Sequence, residues 1–330
     1  MSPGVAMNRD VRIVVVGSFA VGLTMKLARF PMAGETQLGF GYRMDHGGKG
    51  SNQAVGCARL GAQVSFVASI GQDAAGDMAL ELYRNEGVTA WLQRAADRPT
   101  GVGFILVKAD TGENCIALDP GANELLSAAE VAASDDAFAA ARVVLTQLEI
   151  PVEAAEPAME RGHAHAAITI LNPAPARVVP DTLLQNVDVL TPNQNEAKVL
   201  LGYAPDAEVA PADLGRELLA RGPQQVVVTL GEHGAFIATR ELEKHIPAIS
   251  VTPVDTTGAG DAFNAGLAVA LACGADLEAA VRFAVVTGGL AVTKAGVVPA
   301  LPHRDDVLQF HRQRELPVPE RILDLWLTQG

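Results

Sequence analysis

The chain has 330 residues, 49% hydrophobic and 19% charged, so a sizeable core can be buried and a disordered chain is excluded. Lys and Arg number 25 against 38 Asp and Glu, a net charge of −13 that repels polyphosphate backbones; with no basic patch to offset it, nucleic acid is not an expected partner. Cys57, Cys115 and Cys273 are too scattered for a disulfide framework or a metal knuckle; the first ten residues lack a signal-peptide pattern, and the most apolar long stretch, Ala262–Cys273, is too short to span a bilayer, so a soluble cytoplasmic enzyme is expected.

Val11–Val16 is a short β-branched run ended by Gly17-Ser18, the pattern of a strand buried on both faces of a parallel sheet. Similar runs recur at Val64–Ile70, Val143–Leu148, Ala167–Leu171, Val187–Leu190 and Val226–Leu230. Between them, helical spacing marks Asn52–Leu60, Ala75–Asn85, Ala128–Ala140, Glu153–His163, Gln194–Leu201 and Ala212–Ala220. Strands alternating with helices predict an α/β fold with a doubly wound, mainly parallel sheet flanked by helices. Thr36–Met44 and Gly101–Leu118 instead alternate as strands, the second folding back at Asp110-Thr111-Gly112, and neither leads into a crossover helix. They predict a small β-sheet lid, from about 35–46 and 98–119, on a single domain spanning 1–330.

Two Gly-rich junctions carry the chemistry. Asp255-Thr256-Thr257-Gly258-Ala259-Gly260-Asp261-Ala262-Phe263 leads into the helical Asn264–Ala272. Its glycines let the backbone turn sharply toward a ligand, and the following helix offers free N–H groups and a positive dipole end to an anion. Asp261 sits beside that anion hole, where a carboxylate can take a proton from an attacking hydroxyl. An ordinary turn with the Asp as helix cap reads equally well, and spacing alone does not separate the two. Gly47-Gly48-Lys49-Gly50-Ser51-Asn52-Gln53-Ala54 is no Walker loop, since Arg43 stands where the first glycine belongs. It reads as a backbone approach with Lys49 and Asn52 as donors to hydroxyls, or as a plain helix entrance.

Three strand-end stretches are weaker: Gln147-Leu148-Glu149, Thr191 to Glu196, and Thr229-Leu230-Gly231-Glu232-His233-Gly234. Each alone suits a cap or turn better than a site. His163 and His165 lack a third metal ligand, and His46 reads as a hinge residue of the lid. The Gly-x-Gly-x-x-Gly, Gly-x-Ser-x-Gly and His-Glu-x-x-His patterns are not found.

Taken in order with Thr100-Gly101-Val102 and Asn172-Pro173-Ala174-Pro175-Ala176, these motifs resemble the ribokinase-like family of sugar and nucleoside kinases, from about Val11 to about Phe310. The resemblance implies ATP-dependent phosphorylation of a sugar's hydroxymethyl group, with Asp261 as base and the amides of Gly258, Ala259 and Gly260 as anion hole. It implies sugar contacts at Gly48, Lys49, Asn52 and Glu149, and an ATP site at Asn193, Thr229, Gly231, Gly234 and Gly260. Glu196 would organise Mg²⁺ through water. Asp255, Thr257, Ala291, Lys294 and Gly296 would hold K⁺ or another monovalent cation, and two copies would meet through the lid.

Three positions depart from the family's pattern. Ala20 and Gly22 stand where an Asn and an Asp usually hold sugar hydroxyls, so free ribose is expected to be a poor substrate. Ala300 replaces a Ser of the cation shell, and Val285 stands at the adenine edge. A nucleoside kinase of the same family is the alternative, and a non-catalytic sugar- or nucleotide-binding regulator a more distant one.

Overall fold

The computed structural model describes residues 11–204 and 206–327, so the Met1–Asp10 stretch read above for a signal peptide lies outside the described residues. Strands β1 (Arg12–Val16), β2 (Ala20–Leu27), β3 (Phe40–Gly47), β4 (Gln63–Gly71), β5 (Thr89–Ala95), β6 (Gly101–Lys108) and β7 (Asn114–Asp119) fill the first third of the chain. They are followed by β8 (Val143–Gln147), β9 (Ile168–Asn172), β10 (Val189–Leu190), β11 (Gln225–Thr229), β12 (Ala235–Ala238) and β13 (Glu243–Ile246). The main sheet has the order β13-β12-β11-β10-β9-β8-β1-β4-β5, parallel except for the β12–β13 hairpin at one edge. In β1, Ile13 and Val15 enter one core cluster while Val14 and Val16 enter the other, so both faces of the sheet are covered.

On one face, helix Ala259–Ala272 is buried along almost its whole length and packs between helices Lys49–Arg59 and Leu277–Ala291. The approach to Lys49–Arg59 is close enough that a Cβ on Gly56 would lie 2.7 Å from the Cβ of Ala265. Both helices begin at the carboxyl edge of the sheet, where open α/β sheets bind ligands.

The second sheet, ordered β3-β2-β6-β7, is the lid. Its central strand, β2, lies outside the two stretches expected to form it. That strand is paired on both sides and carries Gly22, so it lacks the polar–apolar alternation of an edge strand. The expected Thr36–Met44 strand starts only at Phe40 and runs to Gly47. The expected Ala128–Ala140 helix is broken at Ser134, whose hydroxyl donates back to the Val131 carbonyl, leaving Ala128–Ala133 and Asp135–Phe138.

Candidate active site

The loop 255–258 delivers the chain into helix Ala259–Ala272 through Gly258, the N-cap, at φ +82°. Only glycine takes this conformation freely, and a Cβ there would lie 2.7 Å from Val297 Cγ1. No side chain caps the first turn, which leaves the leading N–H groups to a ligand. The Ala259 N–H is partly engaged, in a long 3.3 Å turn bond to the Thr256 carbonyl.

Asp261 is therefore not the cap. Its carboxylate accepts instead from Asn52 Nδ2 at 2.8 Å and from Gln53 Nε2 at 3.0 Å, both on helix Lys49–Arg59. The side chain is 6% exposed, and burial raises its pKa against the pull of Lys49 and these two amides. Burial by itself would lower the Lys49 ammonium, yet the carboxylates of Asp261, Glu149 and Glu196 leave it raised.

Gly48 caps helix Lys49–Arg59 at φ +88°, where a Cβ would lie under 3 Å from the Phe19 Cα, the Ser18 carbonyl and the Ala20 N. The β1–β2 turn is thus pressed onto the start of that helix. Glu149 ties the same corner: its Oε2 accepts from Ser18 Oγ at 2.6 Å and from the Lys49 N–H at 2.8 Å. Gly48, Lys49, Asn52, Glu149 and Asp261 are so brought together at one corner, beside the Gly47 end of the lid. Ser18 was given no role by the motifs, although it stands directly before this corner.

Beside that corner β2 pairs Ala20 with Gly47 and Gly101, and Gly22 with Asp45 and Gly103. Residues paired across strands share a face, so Asp45 is the polar side chain paired into this patch, while Leu118 pairs with Gly103 and Ile105 Cδ1 would lie 3.3 Å from a Cβ on Gly22. His46 pairs with Val21 on the opposite face and lies against Phe19, with ring centroids 6.4 Å apart.

A second cavity of about 670 Å³ lies on the far side of the Gly258 turn, lined by Thr229, Gly231, Gly234, Ala259 and Gly260 with Phe263 and Val285. Its apolar walls and glycine rims suit a flat ring system joined to phosphates. Asn193 is not part of this lining. Its side chain and that of Glu196 are committed to a reciprocal capping box on helix Gln194–Leu201, though the residue itself bridges to Thr229. Glu196 keeps one carboxylate oxygen free of that box, and burial raises its pKa.

Of the residues expected to hold a monovalent cation, Asp255, Thr257 and Gly296 meet. Asp255 accepts from the Thr257 N–H through Oδ1 and the Gly296 N–H through Oδ2, each at 3.0 Å, which laces the two loops together. Ala291 ends the helix Leu277–Ala291, and the Lys294 ammonium lies 3.5 Å from Asp306. Ala300 is buried beside these loops with no side-chain oxygen to offer.

The family model of the pfkB family carbohydrate kinases matches residues 10–304. A ribokinase of Bacillus subtilis is 38% identical over 296 residues, covering 89% of this chain and 97% of the relative. A deoxyribokinase of Salmonella typhi is 33% identical, covering 88% of this chain and 95% of its own length. The structure of an Arabidopsis thaliana ribokinase complexed with ribose and ATP superposes with a TM-score of 0.83 at 30% identity, covering 90% of this chain and 97% of that one.

Proposed function

The chain belongs to the pfkB family of carbohydrate kinases and is an ATP-dependent sugar kinase, and on that premise we propose that Asp261 is its general base. The observation that carries this role is a buried carboxylate, held by two amide donors, three residues into a helix whose first turn has no capping side chain. As the sugar's hydroxymethyl oxygen attacks the γ-phosphorus, Asp261 takes its proton, the new O–P bond forms, and the bond to the β-phosphate oxygen breaks to release ADP. Phosphoryl transfer asks mainly for positioning and charge neutralisation. The N–H groups of Gly258, Ala259 and Gly260 and the helix dipole supply the second, and Lys49 adds a fixed positive charge.

Glu149, Asn52, Lys49 and the Gly48 backbone hold the remaining sugar hydroxyls. The cavity lined by Thr229, Gly231, Gly234 and Gly260 takes ATP, with Asn193 at its edge and Val285 against the base. Bound Mg²⁺ screens the charge of the phosphates, and the free oxygen of Glu196 suits it through water. The loops of Asp255, Thr257, Ala291, Lys294 and Gly296 would hold K⁺ through backbone carbonyls and the acceptor capacity that remains on the Asp255 carboxylate after its two N–H bonds.

Two copies are proposed to meet through the lid, which exposes Phe40, Tyr42, Met44, Phe104, Ile116 and Leu118. A cytoplasmic setting, without nucleic-acid or membrane partners, fits the charge; among the described residues no helix is long and apolar enough to cross a membrane. The absence of polar side chains at Ala20, Gly22, Gly101 and Gly103 favours an acceptor other than free ribose, either a differently substituted sugar or a nucleoside.

Asp261→Asn tests the assignment. Turnover should fall about a thousandfold, within the ~10²–10⁴ that general-base loss costs, while ATP binding by calorimetry stays within a few-fold. A variant keeping more than a tenth of wild-type turnover removes Asp261 from this role.

A further inference from the structure

Beneath Asp261 runs a chain of buried side-chain amides and one hydroxyl that the proposed reaction does not itself use. Gln147 Nε2, at the end of β8, donates to Gln53 Oε1 at 2.5 Å. Gln53 Nε2 then spends both its hydrogens, one on Asp261 Oδ1 at 3.0 Å and one on Asn172 Oδ1 at 3.1 Å. Asn172 Nδ2 donates on to the Thr191 carbonyl at 3.1 Å, Thr191 Oγ1 to Asn264 Oδ1 at 2.6 Å, and Asn264 Nδ2 to the Gly260 carbonyl at 2.8 Å. Gln53, Gln147, Asn172, Thr191 and Asn264 are all at least nine-tenths buried. The chain crosses three strand ends and returns to the helix that carries the base.

Its direction has a physical consequence. An ionised carboxylate only accepts hydrogen bonds, whereas a protonated one must also donate. Gln53 can show Asp261 only its NH₂ group, because its carbonyl is taken by Gln147 and its second hydrogen by Asn172. Asn52 shows an NH₂ group as well. Every partner of the carboxyl in this chain therefore favours the ionised form and none rewards the neutral one. Burial acts the other way, since it strips solvation from the charged carboxylate.

We propose that Gln53, locked in orientation by Gln147 and Asn172, is the positioning residue that keeps Asp261 an ionised, aimed carboxylate in a buried site. The proposal rests on Asp261 being the base. Other charges bearing on Asp261 are Lys49 on the same helix as Gln53, Glu149 after β8 and Glu196 on helix Gln194–Leu201. Lys49 favours the carboxylate and the two glutamates oppose it, and the substitutions below leave all three in place.

The test is the pH profile of kcat at saturating ATP and Mg²⁺, with the fastest acceptor of a panel of pentoses, hexoses and nucleosides. Gln53→Met keeps the volume and removes the donors. Losing a donor to the carboxylate raises its pKa, so the acid limb should move up by about one pH unit, with most of the rate recovered on the alkaline side. Gln147→Met removes only the anchor of Gln53, and its limb should move the same way by less. The Gln147 carbonyl oxygen is already buried without a partner, so this change disturbs little else and carries the test if Gln53→Met does not fold. A stationary limb with the rate lowered equally at every pH, in whichever variant folds, overturns the proposal and leaves Gln53 a packing residue. Asp261→Asn with near wild-type turnover would instead overturn the base assignment itself.

Discussion

The two walls of the proposed sugar space are built on opposite plans. Toward the sheet, Asn52 and Gln53 donate to Asp261, and Glu149 accepts from Ser18 and the Lys49 N–H, so both carboxylates are held by partners inside the protein. Toward the lid, Ala20, Gly22, Gly101 and Gly103 present backbone, and the sheet that carries them leaves Phe104, Ile116 and Leu118 half exposed. The difference separates two tasks. Phosphoryl transfer needs groups fixed before the substrate arrives, since reorganisation at the moment of reaction costs rate. Acceptor choice needs only a wall whose shape and donors match one ligand. Changes at the sheet wall should therefore cost turnover, and changes at the lid wall should redirect it.

The largest effect beyond loss of the base should come from the turn that presents the amides. Gly258→Ala forces an L-residue into φ +82° and drives its Cβ to 2.7 Å from Val297 Cγ1, so the turn must shift. Removing a single anion-hole donor typically costs ~10²–10³ in kcat, and a displaced turn moves several. We expect a loss in that range, with a lower Tm because left-handed backbone costs an L-residue roughly 1–2 kcal/mol. Calorimetric ATP affinity and steady-state kinetics on the same preparation check it. A kcat within threefold of wild type would show that the amides do not act where the sheet wall places them.

How much of this contrast is legible in the sequence depends on how local its cause is. Clustered glycines announce both helix starts, because glycines at a strand–helix junction serve close backbone approach wherever they occur. Whether Asp261 caps the helix or faces the site turns on the left-handed Gly258, which shifts the cap three residues upstream, and spacing does not reveal a dihedral angle. Strand β2 is hidden because pairing on both sides removes the alternation that marks a strand. The amide chain is hidden for a different reason. Gln53 meets Gln147 across 94 residues and Asp261 across 208, and each alone is an unremarked polar residue near an element end.

At the lid wall the expected effect is smaller and changes sign with the acceptor. A hydrogen bond from a charged group contributes ~1.5–3 kcal/mol, about ten- to a hundredfold in affinity, and Gly22 supplies none by side chain. Ribose should show a KM well above that of the best panel member. Ala20→Asn combined with Gly22→Asp should lower the ribose KM about tenfold or more while kcat for other acceptors falls. Asp45 is the polar side chain paired directly with Gly22, so Asp45→Ala should leave ribose unaffected if the protein does not make up the missing contact from there. Ribose outperforming every other acceptor with the wild-type enzyme would refute the reading of these positions.

The smallest expected effect concerns the monovalent cation, and it tests whether the sheet wall is as self-sufficient as its hydrogen bonds suggest. A cation beneath the anion hole would act by fixing the 255–260 loop so that its amides face the phosphate. Here the Asp255 carboxylate already accepts two 3.0 Å bonds from backbone N–H groups, one from Thr257 in its own loop and one from Gly296 across to the other, and these hold its pKa low despite the cost of burial. Val254 and Asp255 N–H groups also share the Val292 carbonyl, a second link between the same loops. Ala300 contributes no side-chain oxygen, so a cation would lose a ligand while the loop it would order is already partly ordered. Activation by K⁺ should therefore be severalfold rather than absolute, with a half-activating concentration that falls when Ala300→Ser restores an oxygen. Rates are compared in K⁺ and in tetramethylammonium at matched ionic strength. Equal rates in the two salts, unchanged in the Ala300→Ser variant, would show that the loops 255–260 and 292–296 need no cation and that the Asp255 lacing alone holds the anion hole open.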